Sequence, residues 1–532
     1  METISINDSA TEAVAKINGN FNTCGPTTAQ NASDEQMVFL GNLVQSGNWV
    51  AQKDITTIVD YGITYRFVLP DGIVAKVEHG NTRTLGTTSA NLFNGQSFTF
   101  PTTSIAQRIS FARYANNAVA RLTKADCDSM IAAGTIRVTF ADKDVVTNNL
   151  DKEPALAALT KLTYNSKRES TSAYYHKAAP LIAHTSDLHG DAQRCYNMMR
   201  YAKHYGIDEC VISGDSVLLN GADGNDYVFA AAKQLGVHVC MAMGNHEVFP
   251  QASSVSEGMN YTNFLASYAS EFGYLKEAGT NTDRGFYYYD LTEKKIRIIV
   301  LDQYDGGVYG GAGLAGRISA GQIEFLVNAM KAPSGYGVII VMHSPENAIT
   351  TPSELSKFRT TTPTSGNNGD NYVYANLGGY NVSSRPISKI VDAFISRTSV
   401  TVSWTQADTS SYCKAKYNDT VEVTADFTDY DSSVEFICYM SGHIHTDNVG
   451  YLAGTTNRQL MLNITSGNGH VTHQADYGFA GVDDIPRLGT GVTQDAFNVY
   501  AIDRANKQVR ILRIGSNVKK DLTLRDALIV DY

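Results

Sequence analysis

Leu181-Ile182-Ala183-His184-Thr185-Ser186-Asp187-Leu188-His189-Gly190 begins as a short apolar run and ends in a carboxylate and an imidazole separated by one residue, then a glycine. The same pattern returns downstream. Apolar runs at Glu209 to Ile212, His238 to Met243, Val338 to Met342 and Glu435 to Tyr439 lead into Gly214-Asp215, Gly244-Asn245-His246-Glu247, His343 and Gly442-His443-Ile444-His445. Another run, Ile296 to Leu301, ends at Asp302. The helix after it is predicted to start at Ser319, whose hydroxyl caps it while Gln322 reaches back, with Ile323, Leu326 and Met330 on one face. Alternating strands and helices predict an α/β architecture with helices covering the sheet. In open sheets of this kind, loops at the carboxyl ends of strands converge on one crevice, so the five polar clusters are expected to form a single site.

Each cluster alone is weak, because an isolated buried histidine is more often a hydrogen-bonded core residue than a ligand. Five in order, each just after a strand-like run, are a different matter. Carboxylate with neutral imidazole suits borderline divalent metals, and a carboxylate able to bridge favours two ions about 3.5–4 Å apart. The glycines let the backbone turn sharply, so that the polar side chains point inward.

As a set, Asp-x-His, Gly-Asp, Gly-Asn-His-Glu, a lone His and Gly-His-x-His resemble the signature of the calcineurin-like metallophosphoesterases, over about residues 181–515. The resemblance implies a metallophosphoesterase sandwich of mixed β-sheets flanked by helices. It also implies hydrolysis of phosphate monoesters or diesters with two divalent ions (Mn, Fe, Zn or Mg) and a metal-bridging hydroxide. Carried over by motif, Asp187, His189 and His445 would hold one ion, Asn245, His343 and His443 the other, and Asp215 would bridge both. His246 would protonate or stabilise the leaving oxygen.

The phosphoprotein phosphatase branch follows Gly-Asp with a further Asp and an Arg, whereas here the run is Gly214-Asp215-Ser216-Val217-Leu218-Leu219. The aspartate that orients the catalytic histidine is absent there, so Glu247 or a residue elsewhere is expected to orient His246. His184, His470 and His473 also lie near motif strands, read as hydrogen-bonded histidines before second-shell groups. Tyr304 and Tyr309 are candidates for the pocket wall. A Ser/Thr/Asn-rich insertion at about 349–431, with a helix near Ile387 to Ile395 and alternating stretches Val400-Val402-Trp404 and Val421-Val423-Ala425, is expected to lie over the sheet, partly as a hairpin.

The chain has 532 residues, more than one core usually supports. The expected division is an N-terminal helical oligomerisation segment (1–47), a β-sandwich (48–145), a linker (146–180) and the catalytic domain (181–532). In the first, Ala10, Val14, Ile17 and Phe21 make an apolar stripe, and Ser33 with Gln36 makes a capping box before a second helix through Met37, Leu40 and Val44. In the second, Ile63, Tyr65, Phe67 and Leu69 alternate, as do Ile109 with Phe111 and Ile136, Val138 with Phe140, the period of antiparallel strands. The exposed Tyr, Asn and Thr of such a sandwich suit carbohydrate, and equally suit any solvated sheet.

Residues Ala13 to Phe21 resemble the opening of phage tail and fibre proteins. This implies a homo-oligomer, most simply a trimer, with virion proteins or cell-surface glycans as partners and assembly into a virion. A net charge of −10 argues against extended nucleic-acid binding. The start, Met1 to Ala10, has no signal-peptide pattern and no stretch approaches a membrane span, so a soluble chain made in the cytoplasm is expected. Seven cysteines without a CxxC pair indicate neither a disulfide framework nor a thiolate zinc motif; they are expected to be reduced and mostly buried. Two other readings are a nuclease of the same superfamily, which needs a basic groove, and an adhesive virion component whose phosphoesterase domain only binds.

Overall fold

The computed structural model describes residues 36–41, 43–52, 64–80, 87–99, 106–140, 179–216, 226–248, 272, 285–303, 308–309, 315–316, 318–346, 349–350, 385–405, 420–443, 448–464, 467, 496–515 and 528–532. The helix expected at Ala10 to Phe21 and most of the linker lie outside them.

In the N-terminal module the period-two residues do what alternation requires. Along Thr64–Val68 the side chains of Tyr65 and Phe67 go inward while those of Thr64 and Arg66 face water. One antiparallel sheet runs Gln36–Met37, Arg137–Phe140, Thr64–Val68, Ser97–Thr99, and the other runs Leu43–Ser46, Trp49–Gln52, Ala106–Ala115, Ile73–Gly80, Thr87–Leu92. Tyr65, Phe67, Ile109, Phe111, Ile136 and Val138 share one buried core. The helix Lys124–Ala132 within this module was not expected; Thr123 caps it by accepting the amide N–H of Asp126.

The second expected N-terminal helix is corrected. Gln36–Met37 pairs with Thr139 and Phe140, and Leu43–Ser46 forms a hairpin with Trp49–Gln52 around Gly47. Strand partners were available, and a short helix has little intrinsic stability against them. Phe39, between these strands, leaves its own module. Its ring lies 5.1 Å from that of Tyr196 and its amide N–H donates to Gln193 Oε1 at 2.7 Å, which docks the module on the helix Ala192–Tyr205.

The part of the chain from Ala179 onward packs two mixed sheets against each other. The first runs Val239–Met241, Glu209–Ile212, Leu181–Thr185, Ala496–Asp503, Gln508–Gly515, Leu528–Asp531, its first three strands parallel. The second runs Tyr287–Leu291, Ile296–Val300, Gly337–Val341, Glu435–Ser441, Leu460–Asn463, Asn448–Leu452, Ile349–Thr350, with the four from Ile296–Val300 to Leu460–Asn463 parallel. Strands covered on both faces read as continuous apolar runs, which is why the motif strands stood out in the sequence. Ile298, Val300, Ile339 and Val341 face the first sheet, and Ile299, Leu301, Val338 and Ile340 face the helices outside the second.

Helices Ala192–Tyr205 and Asp226–Leu235 join the first core, and Ala320–Met330 and Pro386–Ser396 the second. Asp191 caps the first of these by accepting the Arg194 amide N–H, and Gly206 closes it at φ 64°. Ser319 caps Ala320–Met330 as expected. Gln322 does not reach back to it, however. Its amide pairs with the backbone of Asp302, accepting the N–H at 2.7 Å and donating to the carbonyl at 2.6 Å.

The insertion contains the expected hairpin, Ser399–Thr405 against Thr420–Asp426, packed on those two helices through Val402, Val423 and Ala425. Cys127, Cys195, Cys210, Cys240 and Cys438 are free and buried. Among the described residues, no helix is long and apolar enough to cross a membrane.

Candidate metal centre

The polar clusters all follow the carboxyl ends of parallel strands, three from the first sheet and two from the second, so the two sheets bring them to one edge. Backbone hydrogen bonds knit the loops together. The amide N–H groups of Asp187, His189 and Gly190 donate to the carbonyls of Gly214, Asp215 and Ser216 at 3.0, 2.9 and 2.7 Å. Across the sheets, the His443 amide N–H donates to Asp187 Oδ2 at 2.9 Å, and His343 Nδ1 donates to the Ser213 carbonyl at 2.8 Å.

Bringing the side chains this close bends the backbone into unusual shapes. Asp187, His189, Asp215 and His443 all have positive φ, at 52°, 46°, 52° and 70°. Each such non-glycine residue costs about 1–3 kcal/mol and persists only where its surroundings over-determine it. Gly214, at φ 101°, could not be replaced without strain, because a Cβ there would lie 2.5 Å from His343 Nδ1. A Cβ at Gly442 would collide with Ser186 and Asp187.

Asp215 stands at the centre. Its Oδ1 accepts the His246 amide N–H at 2.8 Å, and its Oδ2 lies 3.3 Å from His343 Nε2 and 3.9 Å from His246 Nε2. His443 Nδ1 is 3.1 Å from His343 Nε2, and the rings of His189 and His246 are 4.6 Å apart. Burial works against charge on both Asp215 and His343, but each faces the other's opposite charge. Asp215 is held well below the usual carboxylate range and His343 rises to about 9.

Two groups of donors emerge, His189 with Asp215 and His246, and Asp215 with His343 and His443. Within each, the donor atoms lie no more than 4.8 Å apart, and Asp215 belongs to both. One carboxylate shared by two sets of imidazoles fits a pair of borderline divalent ions. Asp187 joins the cluster through its bond to His443. The side chain of Asn245 and all of His445 lie outside the described residues, as do Tyr304, His470, His473 and the side chain of Tyr309.

The Calcineurin-like phosphoesterase family model matches residues 180–447, which span all eight motif residues from Asp187 to His445. The chain belongs to this family. As a calcineurin-like phosphoesterase it is a hydrolase of phosphoric esters that uses divalent metal ions. No curated protein sequence matches it. Among solved structures it is similar to a dimetal phosphatase from Danio rerio, at 12% identity over 66% of this chain and 98% of that one with a TM-score of 0.38. It is also similar to a purple acid phosphatase from yellow lupin (Lupinus luteus) seeds, at 10% identity over 94% of this chain and 75% of that one with a TM-score of 0.33.

Around the centre of this phosphoesterase, several supporting residues act through the backbone. Glu247 accepts the amide N–H groups of Asp215, Ser216 and Gly244 at 2.9, 2.6 and 2.6 Å, and the Ser216 hydroxyl at 2.7 Å. The sequence left Glu247 or a residue elsewhere to orient His246; the bonds described here have its oxygens clamp the loops that carry Asp215 and His246. Gln303 holds the loop after His343 by pairing with Ser344, accepting its N–H and donating to its carbonyl, each at 2.7 Å. His184 is buried between Ser213 Oγ and the Tyr500 hydroxyl, and burial pulls it down to about 3, so it is neutral. Ser213 and Gln303 escaped sequence reading because their work is done at main-chain atoms or on main-chain partners, which leaves no residue pattern.

Glu247→Gln puts an amide N–H₂ where only acceptors fit, so one or two loop bonds must break. Metal affinity is expected to fall by about 10–100-fold, read by metal titration, with circular dichroism unchanged. Unaltered affinity would remove the clamp from the account.

Proposed function

We propose that this site hydrolyses small phosphate esters with Asp215 bridging two divalent ions, His189 and Asp187 on one side and His343, His443 and Asn245 on the other, and with His445 completing the first set. The observation that carries the reading is that Asp215 has a carboxylate oxygen within 4.8 Å of a ring nitrogen of His189 and one within 4.8 Å of ring nitrogens of His343 and His443. Divalent ions bound there supply Lewis acidity and lower the pKa of water towards roughly 7.

The residues themselves divide the remaining work by exposure. Asp215 and His343 are buried, which suits holding, whereas the His246 side chain is 26% exposed and borders the cluster. His246 is therefore the imidazole placed to touch a substrate and give a proton to its leaving oxygen, while its amide N–H bond to Asp215 fixes its distance from the centre. Asp187 orients the His443 loop, and Ser213 holds His343 so that Nε2 faces Asp215.

Asp215→Asn is expected to abolish turnover and lower occupancy of both ions. His246→Ala should keep nearly all the metal and lower turnover on an alkyl phosphate by about 10²–10⁴, with a smaller loss on nitrophenyl phosphate. Full activity in the first variant, or metal loss in the second, contradicts the assignment.

The catalytic unit is further read as anchored by its N-terminal modules in a trimeric, virion-associated assembly. The likeness of residues 13–21 to phage tail openings supports the assembly, and the contacts of Phe39 with Gln193 and Tyr196 support the joining of the N-terminal module to the catalytic unit. Light scattering on the full-length chain is expected to give a trimer, and a monomer would remove the assembly.

A further inference from the structure

The parallel strands Glu209–Ile212 and Val239–Met241 carry Asp215 and His246 beyond their carboxyl ends. At their opposite ends sits a second group of chemically capable side chains that hydrolysis does not use. Val211 pairs with Cys240 and Cys210 with Val239, which sets Glu209 beside His238. Side chains alternate along a strand, so Glu209, His238 and Cys240 all emerge on the same face of the sheet. One donor atom of each lies within 4.8 Å of the other two.

The group is built with care for the orientation of its ring. His238 Nε2 donates to the Phe272 carbonyl at 2.6 Å, and the ring stacks on Tyr289 with centroids 3.8 Å apart. That fixes Nδ1 towards Glu209, at 2.9 and 2.7 Å from its two oxygens. A backbone carbonyl on one imidazole nitrogen is the usual arrangement that presents the other nitrogen to a metal. Glu209 and Cys240 are buried, and the His238 side chain keeps 19% of its surface open, which gives an entry.

We propose that Glu209, His238 and Cys240 form a separate, mononuclear site for a zinc-class divalent cation, held by one carboxylate oxygen, Nδ1 and Sγ. The exchange balances in charge. With protons, the group holds a carboxylate, an imidazolium and a thiol and is neutral. Binding releases the Nδ1 and Sγ protons to solvent and takes in a doubly charged ion, leaving carboxylate, thiolate, neutral imidazole and cation, again neutral. A neutral centre is the one that burial tolerates. Burial raises the Cys240 thiol well above its ordinary value, so the thiolate forms there only with a cation beside it. Carboxylate, imidazole and thiolate together select zinc-like ions over magnesium or calcium. The ion would tie the two strands together behind the catalytic edge.

None of the proposed catalytic ligands is a cysteine, so sulfur ligation distinguishes the two sites. The full-length chain reconstituted with Co²⁺ is expected to bind a third ion and to show thiolate-to-cobalt charge-transfer absorption in the near ultraviolet. Cys240→Ser should remove that absorption together with one ion per chain, and His238→Gln should do so while leaving the sulfur in place. Asp215→Asn should leave the absorption unchanged. Absence of the absorption in the wild-type chain with its catalytic ions bound, or its survival in folded Cys240→Ser, overturns the proposal.

Discussion

A single ionised carboxylate, Asp215, buried between two β-sheets and ringed by imidazoles, is the constraint on which the rest depends. Isolated, such a charge would cost several kcal/mol. It is tolerable because His343 and His246 face it and the backbone of His246 donates to it. The same crowding that keeps Asp215 ionised makes it a natural bridge, since it lies within reach of nitrogen donors on both sides. Stability and function therefore draw on one electrostatic arrangement.

Holding that arrangement strains the main chain at four of its own members, and the compensation comes from loop to loop. Glu247 gathers three amide groups from two loops, Ser213 fixes His343, and Gln303 and Gln322 pair with backbone groups around Asp302 and Ser344. None of these contacts adds chemistry. They remove the freedom of the ligand-bearing loops, so that metal affinity depends on residues that need never touch an ion.

The catalytic half was legible because a strand buried on both faces is apolar throughout and then stops abruptly at a polar ligand, as Leu181 to Asp187 and Val338 to His343 do. The sandwich was legible in Tyr65 and Phe67 for the complementary reason, that one face is wet. The strands from Leu460 to Asp531 were not singled out, although Ala496–Asp503 and Gln508–Gly515 complete the first sheet; no motif marks their ends. Met37, Leu40 and Val44 have helical spacing, yet Met37 pairs with Thr139, about a hundred residues away and beyond the reach of any local pattern, and Val44 lies in a hairpin with Trp49–Gln52. Glu247 shows the same limit within the site: its position was found, but the amide groups it binds carry no side-chain signature.

The account stands on Asp215 lying between two ions. Anomalous diffraction from crystals of the full-length chain loaded with Mn²⁺ tests that directly. Two peaks about 3.5–4 Å apart, one beside His189 and the other beside His343 and His443, with the Asp215 carboxylate contacting both, is the predicted result. A single peak at full Mn²⁺ occupancy, or two peaks of which Asp215 touches only one, would contradict it.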